Sequence, residues 1–294
     1  VQAQYNLGIV LKELGRLEEA EASYRQAIAL KPGFAEAHFN LGGTLQELRR
    51  LNEAEESYKQ AISLKPDFAE AHSNLGVLIQ YLGRLDEAEV SYIQAIALKP
   101  GFAEAHCNLG NSLKELGRLD EAEASYTQAI ALKPDFAETH NNLAITLQKL
   151  GRLAEAEVSY TQAIALKPDL AEAHNNLGIT LQTLGRLDEA EASYKQAIVL
   201  KPDYTEAHSN LLFLYSGFTY DAPSYLKEAR RYGCRIAEKV TSRFSSWSCE
   251  EEHQALRVGF VSGDLKNHPV GFFLEGLINE LSRTKVQLFA YPTN

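Results

Sequence analysis

The chain has 294 residues, 29 Lys and Arg against 39 Asp and Glu, and a formal net charge of −10. That acidity argues against nucleic acid as the main partner, because phosphate binding needs clustered Lys and Arg. A 45% share of hydrophobic residues suits an ordinary folded chain, and no run reaches the roughly 18 apolar residues of a membrane span, so no membrane segment is expected. The three cysteines, Cys107, Cys234 and Cys249, lie far apart with no CxxC or metal spacing, which points to a reducing, cytoplasmic compartment and to no metal site. The opening VQAQYNLG lacks the basic and apolar stretches of a signal peptide, and Met is absent throughout, so a piece of a longer polypeptide is expected.

Along the chain, KPxFAEAHxNL recurs at a fixed spacing. Pro32, Pro66, Pro100, Pro134, Pro168 and Pro202 stand 34 residues apart, as do Tyr24, Tyr58, Tyr92, Tyr126, Tyr160 and Tyr194. In the second repeat, Ala37, Leu41, Leu45 and Leu48 give helical spacing over about residues 35–48, with Gly42 small where a partner helix must approach. Ala54, Tyr58, Ala61 and Ile62 form the buried stripe of a second helix over about residues 51–64, and Pro66 prevents its continuation. Gly15, Gly83, Gly117, Gly151 and Gly185 mark the turn between the two helices. Arg49 stands there in the second repeat, at a cost of about 1 kcal/mol if the position is left-handed. This period and pattern resemble the tetratricopeptide (TPR) repeat. The expected fold is therefore all-α, a TPR superhelix or α-solenoid, followed by a short incomplete α/β segment. Six repeats fill residues 1–204, and a seventh first helix starts near Thr205.

One such repeat cannot bury its own apolar face; stacked copies can, and they leave a curved groove faced by the first helices. Counting from the first residue of each repeat, the sixth position is Asn6, Asn40, Asn74, Asn108, Asn142 and Asn176, with Asn210 continuing into the seventh helix. A carboxamide donates and accepts, so it can pair with a peptide group whatever the side chain is. Packed helices lie about 8–10 Å apart and an extended chain advances about 3.3 Å per residue, so a row of Asn is expected to meet the backbone about every third residue or more widely. The fifth and ninth positions have drifted while the Asn has not. The expected partners are extended or disordered protein segments, with self-association through the repeats as a further route to assembly. Cys107, at the fifth position, is expected on the groove and open to thiol reagents. The periodic His38, His72, His106, His140, His174 and His208 sit one per repeat, too far apart for a shared metal at about 2.0–2.1 Å, so they are expected to pack between repeats. Glu36 and its equivalents at the second position suit the positive helix start. With Asn at the sixth, they argue against the Lys- or Arg-based clamp by which chaperone adaptors of this fold hold a terminal carboxylate.

Beyond the repeats, residues 205–250 read as a degenerate seventh repeat, a capping helix from about Pro223 to Thr241 and the polar linker SSWSCEEEHQ. Residues 251–294 read as one βαβ unit: a strand at Arg257–Ser262, a helix at Val270–Leu281 and a strand at Val286–Tyr291. Two parallel strands cannot make a covered sheet, so more of a domain is expected beyond them.

Six repeats with the Asn row, followed by LRVGFVSGDLKNHPVGFFLEG, resemble the protein O-GlcNAc transferases and the related SPINDLY-type glycosyltransferases. The matching tail residues are Ser262, Asp264 and His268, with Phe273 on the following helix. The resemblance implies the start of a Rossmann-like catalytic domain and a parent enzyme that moves a sugar from a nucleotide donor, UDP-GlcNAc or GDP-fucose, to Ser or Thr hydroxyls. The groove would present the acceptor, and His268 would lie at the active-site cleft. No cofactor belongs to this stretch itself: the family's donor site lies mostly in a later part of the catalytic region, so the chain alone is expected not to turn over. The alternative is a free-standing TPR scaffold without transferase activity.

Overall fold

A computed structural model describes residues 1–217, 226–233, 256–262 and 286–292. The chain divides into two compact units, Val1–Ala207 and His208–Asn294.

The first unit is a stack of helical hairpins: α1 (Gln2–Glu13) with α2 (Leu17–Leu30), α3 (Ala35–Glu47) with α4 (Leu51–Leu64), α5 (Ala69–Tyr81) with α6 (Leu85–Leu98), α7 (Ala103–Glu115) with α8 (Leu119–Leu132), α9 (Ala137–Lys149) with α10 (Leu153–Leu166), and α11 (Ala171–Thr183) with α12 (Leu187–Leu200). Each hairpin turns on one left-handed residue. At the first, Gly15 has φ 73°, and the amide of Arg16 bonds back to the Leu11 carbonyl at 2.9 Å, which satisfies an orphan carbonyl of the helix end. Arg49 takes the same conformation with φ 62°, and Arg50 repeats the bond to Leu45 at 2.9 Å. The Arg49 guanidinium leans on Tyr81 of the next repeat, 5.7 Å from the ring centre and 3.0 Å from the hydroxyl.

The core of each hairpin is a tyrosine against a gap. Tyr24, Tyr58, Tyr92, Tyr126, Tyr160 and Tyr194 are at most 1% exposed. A Cβ added to Gly42 would stand 2.9 Å from the Tyr58 ring, so glycine there lets the two helices close on the aromatic face. The fifth repeat carries Ala144 at this position and still buries Tyr160. Burial pushes the phenols up, Tyr24 and Tyr58 to about 12.

Stacking is directional. Consecutive first helices approach one another, α1 to α3, α3 to α5 and so on to α11, more closely than consecutive second helices do. The unit therefore curves toward the first helices, whose free faces form its inner wall.

The histidine row holds the connections. The Nε2–H of His38, His72, His106, His140 and His174 donates to the carbonyl of the proline six residues earlier, at 3.0–3.2 Å. Among the described residues no cluster of His, Cys, Asp or Glu could hold a metal, and no helix is long and apolar enough to cross a membrane.

In the second unit, α13 (Thr205–Gly217) and residues 226–233 are helical. The His208 Nδ1–H donates to the Glu228 carboxylate at 2.7 Å, and its ring stacks on Tyr232. Strands β1 (Leu256–Ser262) and β2 (Val286–Pro292) pair in parallel, Val258 opposite Leu288. The all-α solenoid thus gives way to an α/β segment. The helix expected at Val270–Leu281 and most of the capping helix lie outside the described residues.

Candidate peptide-binding site

The outer side is a repeating lattice of charge. The guanidinium of Arg50 grips Glu53 three residues on and reaches Glu21 of the preceding repeat at 2.6 Å. Arg84 to Glu55, Arg118 to Glu89, Arg152 to Glu123 and Arg186 to Glu157 repeat the bridge at 2.5–2.9 Å. Within repeats, Lys65, Lys99, Lys133 and Lys167 reach Glu36, Glu70, Glu104 and Glu138 at 2.8–3.5 Å. The second-position glutamates, expected only to favour helix starts, thus also tie the two helices of a hairpin together. These pairs were hidden in the sequence because their partners stand 29 residues apart.

The inner wall is less uniform. Asn40, Asn74, Asn108, Asn142 and Asn176 are all half-buried and Asn6, near the chain start, is exposed. Their neighbours differ. Asn40 donates to the Tyr5 hydroxyl at 3.0 Å, Asn142 donates to Asn111 Oδ1 at 3.0 Å, and Asn74 bonds the Tyr58 hydroxyl. Asn6 accepts from Gln2 at 2.9 Å, and Asn176 accepts from Asn175 at 3.4 Å. Asn108 has no side-chain hydrogen bond among the described residues. Asn210, on α13 in the second unit, is half-buried.

A cleft of about 630 Å³ opens beside Asn74. Lys12, Gly43, Gln46, Glu47 and Val77 line it with Asn74, so three successive first helices contribute. Gly43 creates the space: a Cβ there would sit 3.0 Å from Lys12 Nζ and 3.5 Å from the Tyr58 hydroxyl. Lys12 and Glu47 neutralise each other at 3.1 Å, Tyr58 donates to Gln46 at 3.2 Å, and Arg49 also lines the cleft, so the lining offers donors and acceptors with a net positive charge.

Cys107 corrects an expectation. It is 5% exposed, not open on the groove. Thr139 of the next repeat donates to its sulfur at 3.2 Å, and burial pushes the thiol up, away from the reactive thiolate. The fifth position faces the neighbouring repeat: Ser73, Asn141 and Asn175 there are buried as well. Its drift follows from pairwise packing between repeats.

Residues 8–49, 44–80, 81–117 and 110–151 match the TPR repeat family, and residues 135–202 match a second tetratricopeptide repeat family. The chain is a tetratricopeptide-repeat protein. Its fold recurs in solved TPR structures. The pilF protein of Pseudomonas aeruginosa is 21% identical with a TM-score of 0.64, covering 71% of this chain and 95% of its own. PilW, described as a type IV pilus biogenesis factor, is 25% identical with a TM-score of 0.64, covering 71% and 97%. YrrB, described as a TPR protein with an unusual peptide-binding site, is 22% identical with a TM-score of 0.54, covering 63% and 95%. No curated protein matches the chain significantly. The tail residues quoted for the transferase resemblance divide: Ser262 ends β1, whereas Asp264, His268 and Phe273 lie outside the described residues.

Proposed function

We propose that the repeats are a protein-binding scaffold whose inner wall holds an extended segment of another polypeptide, and that they serve as the acceptor-selecting arm of a protein O-glycosyltransferase. The observation that carries the reading is the half-exposed row of carboxamides on consecutive first helices, with an open polar cleft beside Asn74. Peptide binding by a TPR neighbour, YrrB, is consistent with it. The transferase half rests on the resemblance of the segment around β1 and on His268. There the parent enzyme would take a nucleotide sugar, UDP-GlcNAc or GDP-fucose, as donor.

Each carboxamide bond contributes only about 0.5–1.5 kcal/mol net, and ordering a flexible ligand offsets much of it, so several rungs must act together. Replacing Asn74, Asn108, Asn142 and Asn176 together by Ala should remove most affinity for unstructured peptides, read by fluorescence anisotropy, while the helical circular dichroism stays unchanged. Undiminished binding would sink the carboxamide reading. Incubated with labelled UDP-GlcNAc or GDP-fucose and an unstructured acceptor, the chain alone should transfer no sugar. Incorporation that depends on His268 would mean that this stretch already holds a working active site. A free-standing scaffold is the second reading, supported by the fold shared with YrrB, described as a TPR protein with an unusual peptide-binding site.

A further inference from the structure

One contact recurs along the inner wall: the twelfth residue of a repeat meets the thirteenth of the next. Between the first and second repeats it is an ion pair, Lys12 with Glu47 at 3.1 Å. Between the third and fourth it is a hydrogen bond, Gln80 to Glu115 at 2.9 Å. Between the fourth and fifth the same positions are Lys114 and Lys149, two cations. Neither has a carboxylate within ion-pair distance among the described residues: Lys114 reaches only Asn142 Oδ1, at 3.4 Å, and lies 5.9 Å from the Tyr126 ring centre. Glu115, its sequence neighbour, is taken by Gln80. Burial and then Lys149 lower the Lys114 pKa, against a smaller opposing pull from Glu115.

The surroundings hold this arrangement in place. In four repeats the twelfth residue is glutamine, and in those of Tyr58, Tyr92, Tyr160 and Tyr194 it accepts the core tyrosine's proton. With lysine at this place, Tyr126 donates instead to Asn111 at 2.7 Å, and Asn111 also accepts from Asn142 at 3.0 Å. The network Tyr126–Asn111–Asn142 thus ends on the Lys114 ammonium, 3.4 Å from Asn142 Oδ1. Two neighbouring cations, Lys114 half-buried and Lys149 exposed, are unfavourable alone and favourable around a shared anion.

We propose that Lys114 and Lys149 form a carboxylate-binding subsite on the inner wall, so that the bound segment carries an acidic group at this rung. It rests on the reading of the wall as a peptide-binding surface. It differs in place from a clamp at the second and sixth positions, which here carry Glu and Asn. The carboxylate belongs either to an Asp or Glu side chain within the segment or to the segment's C-terminus.

The test uses the full chain and peptides of Gly, Ser, Thr and Ala with one central Asp or its Asn counterpart, both C-terminally amidated, and the Asn peptide with a free C-terminus. Wild type should bind a carboxylate-bearing peptide about tenfold more tightly than the amidated Asn peptide, as a charge-assisted bond implies. Lys149→Glu, which restores the kind of pair seen at Lys12 and Glu47, and Lys114→Gln, which restores the usual residue, should each bring that ratio to about one. Preference for the Asp peptide assigns the subsite to side chains, and preference for the free terminus assigns it to chain ends. Equal affinities of wild type for all three peptides would overturn the subsite and leave the groove standing. Acetate titrated into protein with 13C-labelled lysine gives an independent reading. Shifts at Lys114 and Lys149 without any peptide binding would support the subsite and overturn the groove, whereas no shift and no binding would overturn both.

Discussion

The outer and inner sides of the repeat stack are built from the same six copies, yet they differ in kind. On the outer side every repeat boundary from Arg50 to Arg186 carries the same arginine-to-glutamate bridge, with Arg25 to Glu53 added at the first. On the inner side the equivalent boundary contact is an ion pair, a hydrogen bond or two lysines, depending on the repeat. Residues that only hold neighbouring copies together face the same demand at every boundary. Residues that meet a partner face a different piece of it at each rung. The regular side serves stability, and the irregular side is the one proposed to meet a partner.

That division can be broken by experiment. The largest effect is expected at high pH, where the core row titrates. The tyrosine pKa values are raised by burial, so the native state favours the neutral phenol. Its stabilisation is fully present below the unfolded value near 10 and is lost as pH rises through the folded values, about 12 for Tyr24 and Tyr58 and higher in direction for Tyr92, Tyr126, Tyr160 and Tyr194. Thermal melts followed by circular dichroism should show the midpoint falling steeply above pH 10. A flat profile to pH 12 would mean that the phenols already reach solvent.

Next comes a single core truncation. Tyr126→Ala should cost about 3–5 kcal/mol in denaturant unfolding, because the cavity is walled by Gly110 and cannot collapse. The smallest effect is expected from the matched change on the inner wall of the same repeat. Asn108→Ala removes a half-exposed side chain with no internal bond and should change stability by less than about 0.5 kcal/mol. A large loss at Asn108 would make the row structural and erase the contrast.

Much of this was legible in the sequence. The period placed the helices, the hairpin glycines and the buried tyrosines, because each depends on contacts within one repeat. Arg49 was readable as a left-handed residue for the same reason. What escaped lies between copies. Cys107 is expected on the groove beside Asn108, but the fifth position packs on the next repeat, Cys107 against Thr139. The meeting of the twelfth residue with the thirteenth of its neighbour needs the stacking geometry, so the lysine pair at Lys114 and Lys149 gave no signal in sequence. Asn40 and Asn142 were readable as wall residues, whereas their bonds to Tyr5 and Asn111 were not.

Gly43 has a consequence for registry. A ladder of identical rungs lets a threaded chain slide: every shift by one repeat restores the same set of bonds, so the partner is held without being positioned. The missing side chain at Gly43 breaks that translational symmetry. It opens room against Lys12 and Tyr58 at one repeat, where the others place Ile9, Val77, Asn111, Ile145 or Ile179. A partner with one bulky residue at the right distance along its length would lock there as a tooth in a notch, and the wall would acquire a zero point from which every other residue is counted.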